Sequence, residues 1–160
     1  MKILLDEDVP EPLAQALAKI IPPHEVHSVA SLQWNSKKDQ FLFADARRRK
    51  FDVLITVDRR QLLDPAYCKQ LQATGLHHVL FTQSVQGVKS MAFAMAAVFA
   101  AIHEVMSTLE DADGQRLIAV TAIAPGSRIT VVDPRLDPPT YWPRTRQPGR
   151  PRAPRRPKKA

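Results

Sequence analysis

The chain has 160 residues, enough for one domain with a substantial core and short of two. Its single cysteine, Cys68, excludes a disulfide framework or a thiolate zinc site within one chain, which fits a reducing cytoplasm. The net charge of +7 is local: eight of the 23 Lys and Arg fall in residues 140–160, which hold no acid, leaving 15 basic against 16 acidic residues elsewhere.

No signal peptide is expected at the start, where Lys2 and three apolar residues run into Asp6-Glu7-Asp8. Ile3-Leu4-Leu5 is too short for anything but a buried strand, and it delivers those acids to its carboxyl end. Pro10 and Pro12 suit the first turn of a helix whose apolar positions Leu13, Leu17, Ile20 and Ile21 recur at helical spacing until Pro22-Pro23. His24–Val29 reads as a second strand. Ser36 as N-cap with Asp39 three residues on approximates a capping box. The helix it opens should run to about Lys50, burying Phe41, Leu42 and Ala46 and exposing the basic run Arg47–Lys50.

Phe51–Val57 is a continuous apolar run of the kind buried on both sheet faces, and it ends in Asp58. Asp64-Pro65 leads into a short helix over 66–72 that Gly75 closes. His78–Thr82 is a fourth strand. Gly87 opens a long helix from Val88 to about Leu109, whose apolar middle calls for deep burial or an oligomer seam. Its unbroken apolar run, Met91–Ile102, falls short of the roughly 20 residues of a membrane span. Leu117–Ile123 and Ile129–Val132, flanking Pro125-Gly126-Ser127, read as a terminal β-hairpin. From Pro138 the chain is rich in Pro, Arg and Lys and cannot build a core. The expected division is a folded domain over 1–137 and a disordered basic tail over 138–160.

Alternating strands and helices predict an α/β fold with a mostly parallel sheet and helices on both faces. Right-handed crossovers would then gather the strands' carboxyl ends on one edge. Asp6, Asp8 and Asp58 meet there, and Asp39 faces the same cleft from its helix. Taken singly, Asp39 reads as a helix cap and Asp58 as a strand-end turn. Together the four carboxylates repel one another unless a cation lies among them, and hard oxygen ligands suit Mg²⁺ or Mn²⁺. Such an ion can activate water for attack on a phosphodiester. Thr56 places a hydroxyl near the same edge. His24, His27, His77, His78 and His103 lack Cys partners and HExxH spacing, so no zinc site is expected.

Met1–Pro10 with its Asp6-Glu7-Asp8 cluster, Ser36–Asp39 and Val53–Arg59 resemble the bacterial PIN-like family, relatives of the VapC-type toxin ribonucleases. The likeness covers roughly residues 1–85, and the hairpin at 117–133 fits the family's usual ending. The resemblance implies a three-layer α/β/α PIN-like fold and a Mg²⁺- or Mn²⁺-dependent ribonuclease. Asp6, Asp39 and Asp58 would be its catalytic acids, and Asp6, Asp8, Asp39 and Asp58 its metal ligands. It further implies an RNA substrate and an antitoxin partner; a homodimer and a cytoplasmic location are expected beside it. Arg59 and Arg60, with Arg144, Arg146, Arg150, Arg152, Arg155 and Arg156 of the tail, are the expected nucleic-acid contacts. Two positions depart from the family pattern: Asp8 stands where Asn is frequent, and Arg60 where a further acid is frequent. Two other readings stay open. One is a catalytically inactive PIN-like interaction module. The other is a receiver-like domain with Asp58 as phosphoacceptor and Thr82 nearby, lacking the Lys that ends a fifth parallel strand.

Overall fold

A computed structural model describes residues 1–81, 88–121 and 129–143, with the backbone alone for 88–94. Six strands form one sheet in the order β2-β1-β3-β4-β5-β6. They are β1 (Lys2–Leu5), β2 (Glu25–Ser28), β3 (Val53–Thr56), β4 (His77–Phe81), β5 (Leu117–Val120) and β6 (Ile129–Val132). The first five run parallel and β6 is antiparallel to β5. Four helices join them: α1 (Glu11–Ile20), α2 (Asp39–Arg48), α3 (Pro65–Thr74) and α4 (Val88–Glu110).

The period-two alternation of each strand feeds two separate cores. Ile3, Leu5, Val53, Ile55, Val79, Phe81, Ile118 and Val120 pack with α1 and α4. Leu4, Leu54 and Leu117 point the other way, onto Leu42, Phe43 and Ala46 of α2 and Tyr67, Cys68 and Leu71 of α3. The result is a three-layer α/β/α sandwich, and β3 is buried at all four positions, as its unbroken apolar run implies.

From β1 the chain steps outward to β2, then returns past β1 to β3. The strand order therefore reverses between β1 and β3, and a crevice opens outside their carboxyl ends, where open α/β sheets bind ligands. α1 and α4 lie on the same face, yet β1-α1-β2 and β4-α4-β5 step across the sheet in opposite directions. Those two crossovers thus have opposite hands, where a right hand throughout was expected. Parallel pairing alone gathers the strand ends.

Several local expectations shift. α2 begins at Asp39 with Lys38 as N-cap. Ser36 instead takes φ +56° and donates its amide to Glu7 Oε2 at 2.9 Å, so it turns the loop towards β1 and caps nothing. With the helix phased from Asp39, Leu42 and Ala46 are buried as expected and Phe43 joins them, while Phe41, also expected in the core, is 54% exposed. α3 follows its signals: Asp64 Oδ1 accepts from Ala66 N at 2.8 Å, and Gly75 at φ +74° ends the helix. α4 is buried along Val98, Ala101, Ile102, Val105, Met106 and Leu109, so its apolar middle serves the core.

The hairpin's first strand is a fifth parallel strand, since β5 pairs with β4 from His78↔Leu117 to Phe81↔Val120. The lysine that a receiver-like domain needs after it is missing, since residues 117–128 contain no Lys. The turn at Pro125-Gly126-Ser127, and Thr82 and Gly87, lie outside the described residues. None of the described helices is long and apolar enough to cross a membrane.

The boundary at Pro138 also moves. Trp142 is 6% exposed and packs in the α2–α3 core, and Gln72 Nε2 donates to Pro143 O at 2.8 Å. Composition averaged over the tail hides this one anchor. Truncation after Pro143 should leave the Tm unchanged, while Trp142→Ala should cost about 3–5 kcal/mol, the usual loss for a buried Trp. Chemical denaturation of the two variants measures the contrast, and an unaffected Trp142→Ala protein would refute the docking.

Candidate functional site

Asp6 is still part of the sheet when its side chain reaches the edge. Its amide donates to Ile55 O at 2.9 Å, extending the β1–β3 ladder by one residue, and its own carbonyl accepts from Val9 N at 3.0 Å. Position parity puts its carboxylate on the same face as Leu4, Leu54 and Thr56. Thr56, fully buried, donates Oγ1–H to Asp6 Oδ2 at 2.9 Å and accepts from Asp58 N at 3.1 Å. One hydroxyl therefore fixes the acids that end β1 and β3 relative to each other.

A second donor converges on the same oxygen. Gln61, in a 3-10 turn over Gln61–Leu63, donates Nε2–H to Asp6 Oδ2 at 2.7 Å. Tyr67 OH donates to Gln61 Oε1 at 2.7 Å, which fixes the amide's orientation. His78 Nε2 lies 3.4 Å from the same Oε1, which places the ring hydrogen on Nε2. Burial keeps both groups neutral: it pushes the His78 imidazole down to about 4, and it raises the Tyr67 phenol, with Asp6 and Asp39 adding to that rise. Asp6 Oδ1 accepts the Glu7 amide at 2.8 Å. Three donors thus orient this carboxylate, as outer-shell partners orient a metal ligand.

Asp58 is held by its own turn and by a cation. Its Oδ1 accepts from Arg60 N at 2.9 Å and Arg60 Nε at 3.1 Å, and its Oδ2 from Arg60 Nη2 at 3.3 Å. The guanidinium holds the Asp58 carboxyl below the usual carboxylate range. Asp8 and Asp39 go the other way. Burial raises Asp8, and the charges of Asp6, Asp58 and Glu7 add to it. Burial raises Asp39, with Asp6, Asp64 and Asp58 adding to it.

Two openings share these acids. One of about 240 Å³ is lined by Asp6, Glu7, Asp8, Glu11 and Ser28, where Ser28 Oγ–H donates to Glu11 Oε2. The other, of about 340 Å³, is lined by Asp39, Asp58, Arg60, Gln61, Asp64 and Tyr67. The structure thus brings Asp6, Asp8, Asp39 and Asp58 into one electrostatic field, with Arg60 inside it and Arg59 exposed next to it. Arg144, Arg146, Arg150, Arg152, Arg155 and Arg156 lie outside the described residues.

The four acids do not close around one point: among the described residues, no three His, Cys, Asp or Glu converge as a ligand set. The donor chemistry nevertheless suits a hard cation. Carboxylate oxygens dominate the polar lining of both openings, alongside the Arg60 guanidinium and the Gln61 amide. Asp6 is oriented in advance, and Mg²⁺ is commonly held by one or two carboxylates with water completing its shell.

Sequence reasoning missed Gln61, Tyr67, His78 and Asp64. A His within an apolar strand is itself a signal, because a buried ring nitrogen requires a partner. Gln61 carries no such mark; only the fold reveals its reach across 55 positions to Asp6. Compared with protein-family models, curated proteins and solved structures, the chain matches none.

The raised Asp8 and Asp39 give stability a definite pH dependence. The folded protein holds these protons more tightly than the unfolded chain, so stability falls as pH rises from the ordinary carboxylate range through the raised values. Asp39→Asn should therefore raise the Tm at pH 7 and leave it nearly unchanged at pH 3. Thermal melts at the two pH values check this, and a Tm at pH 7 no higher than wild type would refute the repulsion.

Proposed function

We propose that this cleft binds Mg²⁺ or Mn²⁺ and hydrolyses RNA phosphodiesters, as a PIN-like endoribonuclease. The observation that carries the reading is the Asp6 carboxylate, fixed at the topological switch point by Thr56 and Gln61 and surrounded by the charges of Asp8, Asp39 and Asp58. The cluster costs stability and gains nothing for the core, which is the usual sign of a site kept for chemistry. When bound, the ion supplies an activated water and neutralises charge on the phosphodiester.

The chain's own residues divide the remaining work. Asp6 presents an oriented oxygen to the ion. Asp39, whose raised pKa makes it the better proton acceptor, takes a proton from water at its carboxylate. Asp58 completes the acidic wall. Arg59 and the tail arginines draw the RNA backbone in without reading sequence. The antitoxin partner belongs to the same proposal and rests on the resemblance alone, and a homodimer is proposed beside it.

Incubating the purified protein with a mixed RNA pool tests the reading. Cleavage should require Mg²⁺ or Mn²⁺, stop with EDTA, and be lost in Asp6→Asn while that variant keeps a Tm at or above wild type. Cleavage by Asp6→Asn at the wild-type rate would refute the assignment. A folded protein that cleaves nothing with either ion would leave the inactive interaction module.

A further inference from the structure

Arg60 stands out in the cleft because it is a cation bound where the proposed function needs room for another. It reaches Asp58 by three bonds, one from its amide and two from its guanidinium. The two kinds of bond have different consequences. The amide bond belongs to the turn and persists whatever the side chain does. The guanidinium bonds link a side chain that is 85% exposed to a carboxylate that is only 20% exposed. A guanidinium so far in solvent can leave Asp58 at little cost to the fold. While it stays, it engages both Asp58 oxygens, and its charge reaches Asp8 on the other side of the crevice.

We propose that Arg60 is a tethered counter-ion that competes with the divalent cation for Asp58, so that this residue sets the metal affinity of the cleft. The inference rests on the reading of the cleft as a metal site. A closed Arg60–Asp58 pair lowers the apparent affinity by the fraction of molecules in which Asp58 is engaged. Its positive charge also offsets part of the negative field that would attract a metal ion. An anion that draws the guanidinium away, such as a nucleic-acid phosphate, frees Asp58 at the same moment. Metal and phosphate binding then favour each other, because each is helped by opening the same pair.

Mn²⁺ titration at fixed ionic strength, followed by calorimetry or by the spin signal of the free ion, tests the proposal without reference to activity. Arg60→Gln keeps the turn amide and removes the charge, and its Tm confirms that it is folded. It should bind Mn²⁺ about three- to fivefold more tightly than wild type, the upper part of the range expected from releasing one exposed ion pair. Arg48→Gln makes the same change in net charge at the far end of α2 and should stay within about twofold of wild type. Asp58→Asn should weaken binding and abolish the gain from Arg60→Gln in the double variant. Wild-type affinity in Arg60→Gln, or an equal gain in Arg48→Gln, overturns the role of Arg60 while leaving the metal site standing. Failure of every one of these proteins to bind Mn²⁺ overturns the metal site and this proposal with it.

Discussion

The hydroxyl of Thr56 is the constraint on which the carboxyl edge depends. It is fully buried, so each of its hydrogen bonds is made where water cannot substitute, and leaving one unmade is costly. It donates to Asp6 and accepts from the Asp58 amide, joining the ends of β1 and β3 by side chain just past the last ladder bond. Valine would fill the same volume and leave Asp6 short of a donor and the Asp58 amide short of an acceptor. The polar face of the crevice is thus built from the sheet's own terminus, on rigid elements, which favours precise placement of charged groups.

Behind that hydroxyl lies a polar island inside an otherwise apolar layer. Tyr67 and His78 sit in the α2–α3 core region, their rings edge to face at 6.1 Å, with Phe43 packed against Tyr67 at 5.0 Å. Their polar atoms both turn to Gln61 Oε1, and through Gln61 to Asp6. A buried network of this kind rigidifies a site when its members are satisfied. His78 Nδ1, the unprotonated nitrogen of the neutral ring, is a buried acceptor with no protein partner. The orientation of Asp6 is in this way tied to the packing of the buried Tyr67 and His78.

Much of this architecture was legible in the sequence, for a physical reason. Strands buried on both faces leave continuous apolar runs, and acids that end such runs must emerge at the sheet edge, so Asp6 and Asp58 were readable from Ile3–Leu5 and Val53–Val57 alone. Thr56 followed from its spacing to Asp58. What failed was local phase and long-range contact. Phe41-Leu42-Phe43 offers two apolar arcs of similar quality, and only the start at Asp39 chooses between them. Ser36 looks like a cap until Glu7, 29 residues earlier, claims its amide. Trp142 sits in a tail of unfoldable composition, and the parallel partner of β5 follows from no local pattern.

The charges of the crevice set stability against occupancy. Three segments bring Asp6, Asp8, Asp39 and Asp58 to one edge; burial and the neighbouring carboxylates raise Asp8 and Asp39, while the guanidinium of Arg60 lowers Asp58. These two effects differ in kind. The raised carboxyls make the stability of the fold pH-dependent. An arginine two residues from Asp58 neutralises charge without entering the core, and its exposure leaves it free to exchange that carboxylate for another anion. An acid at this position would deepen the negative field. The guanidinium of Arg60 makes that field shallower, with its positive charge set against Asp58 and Asp8.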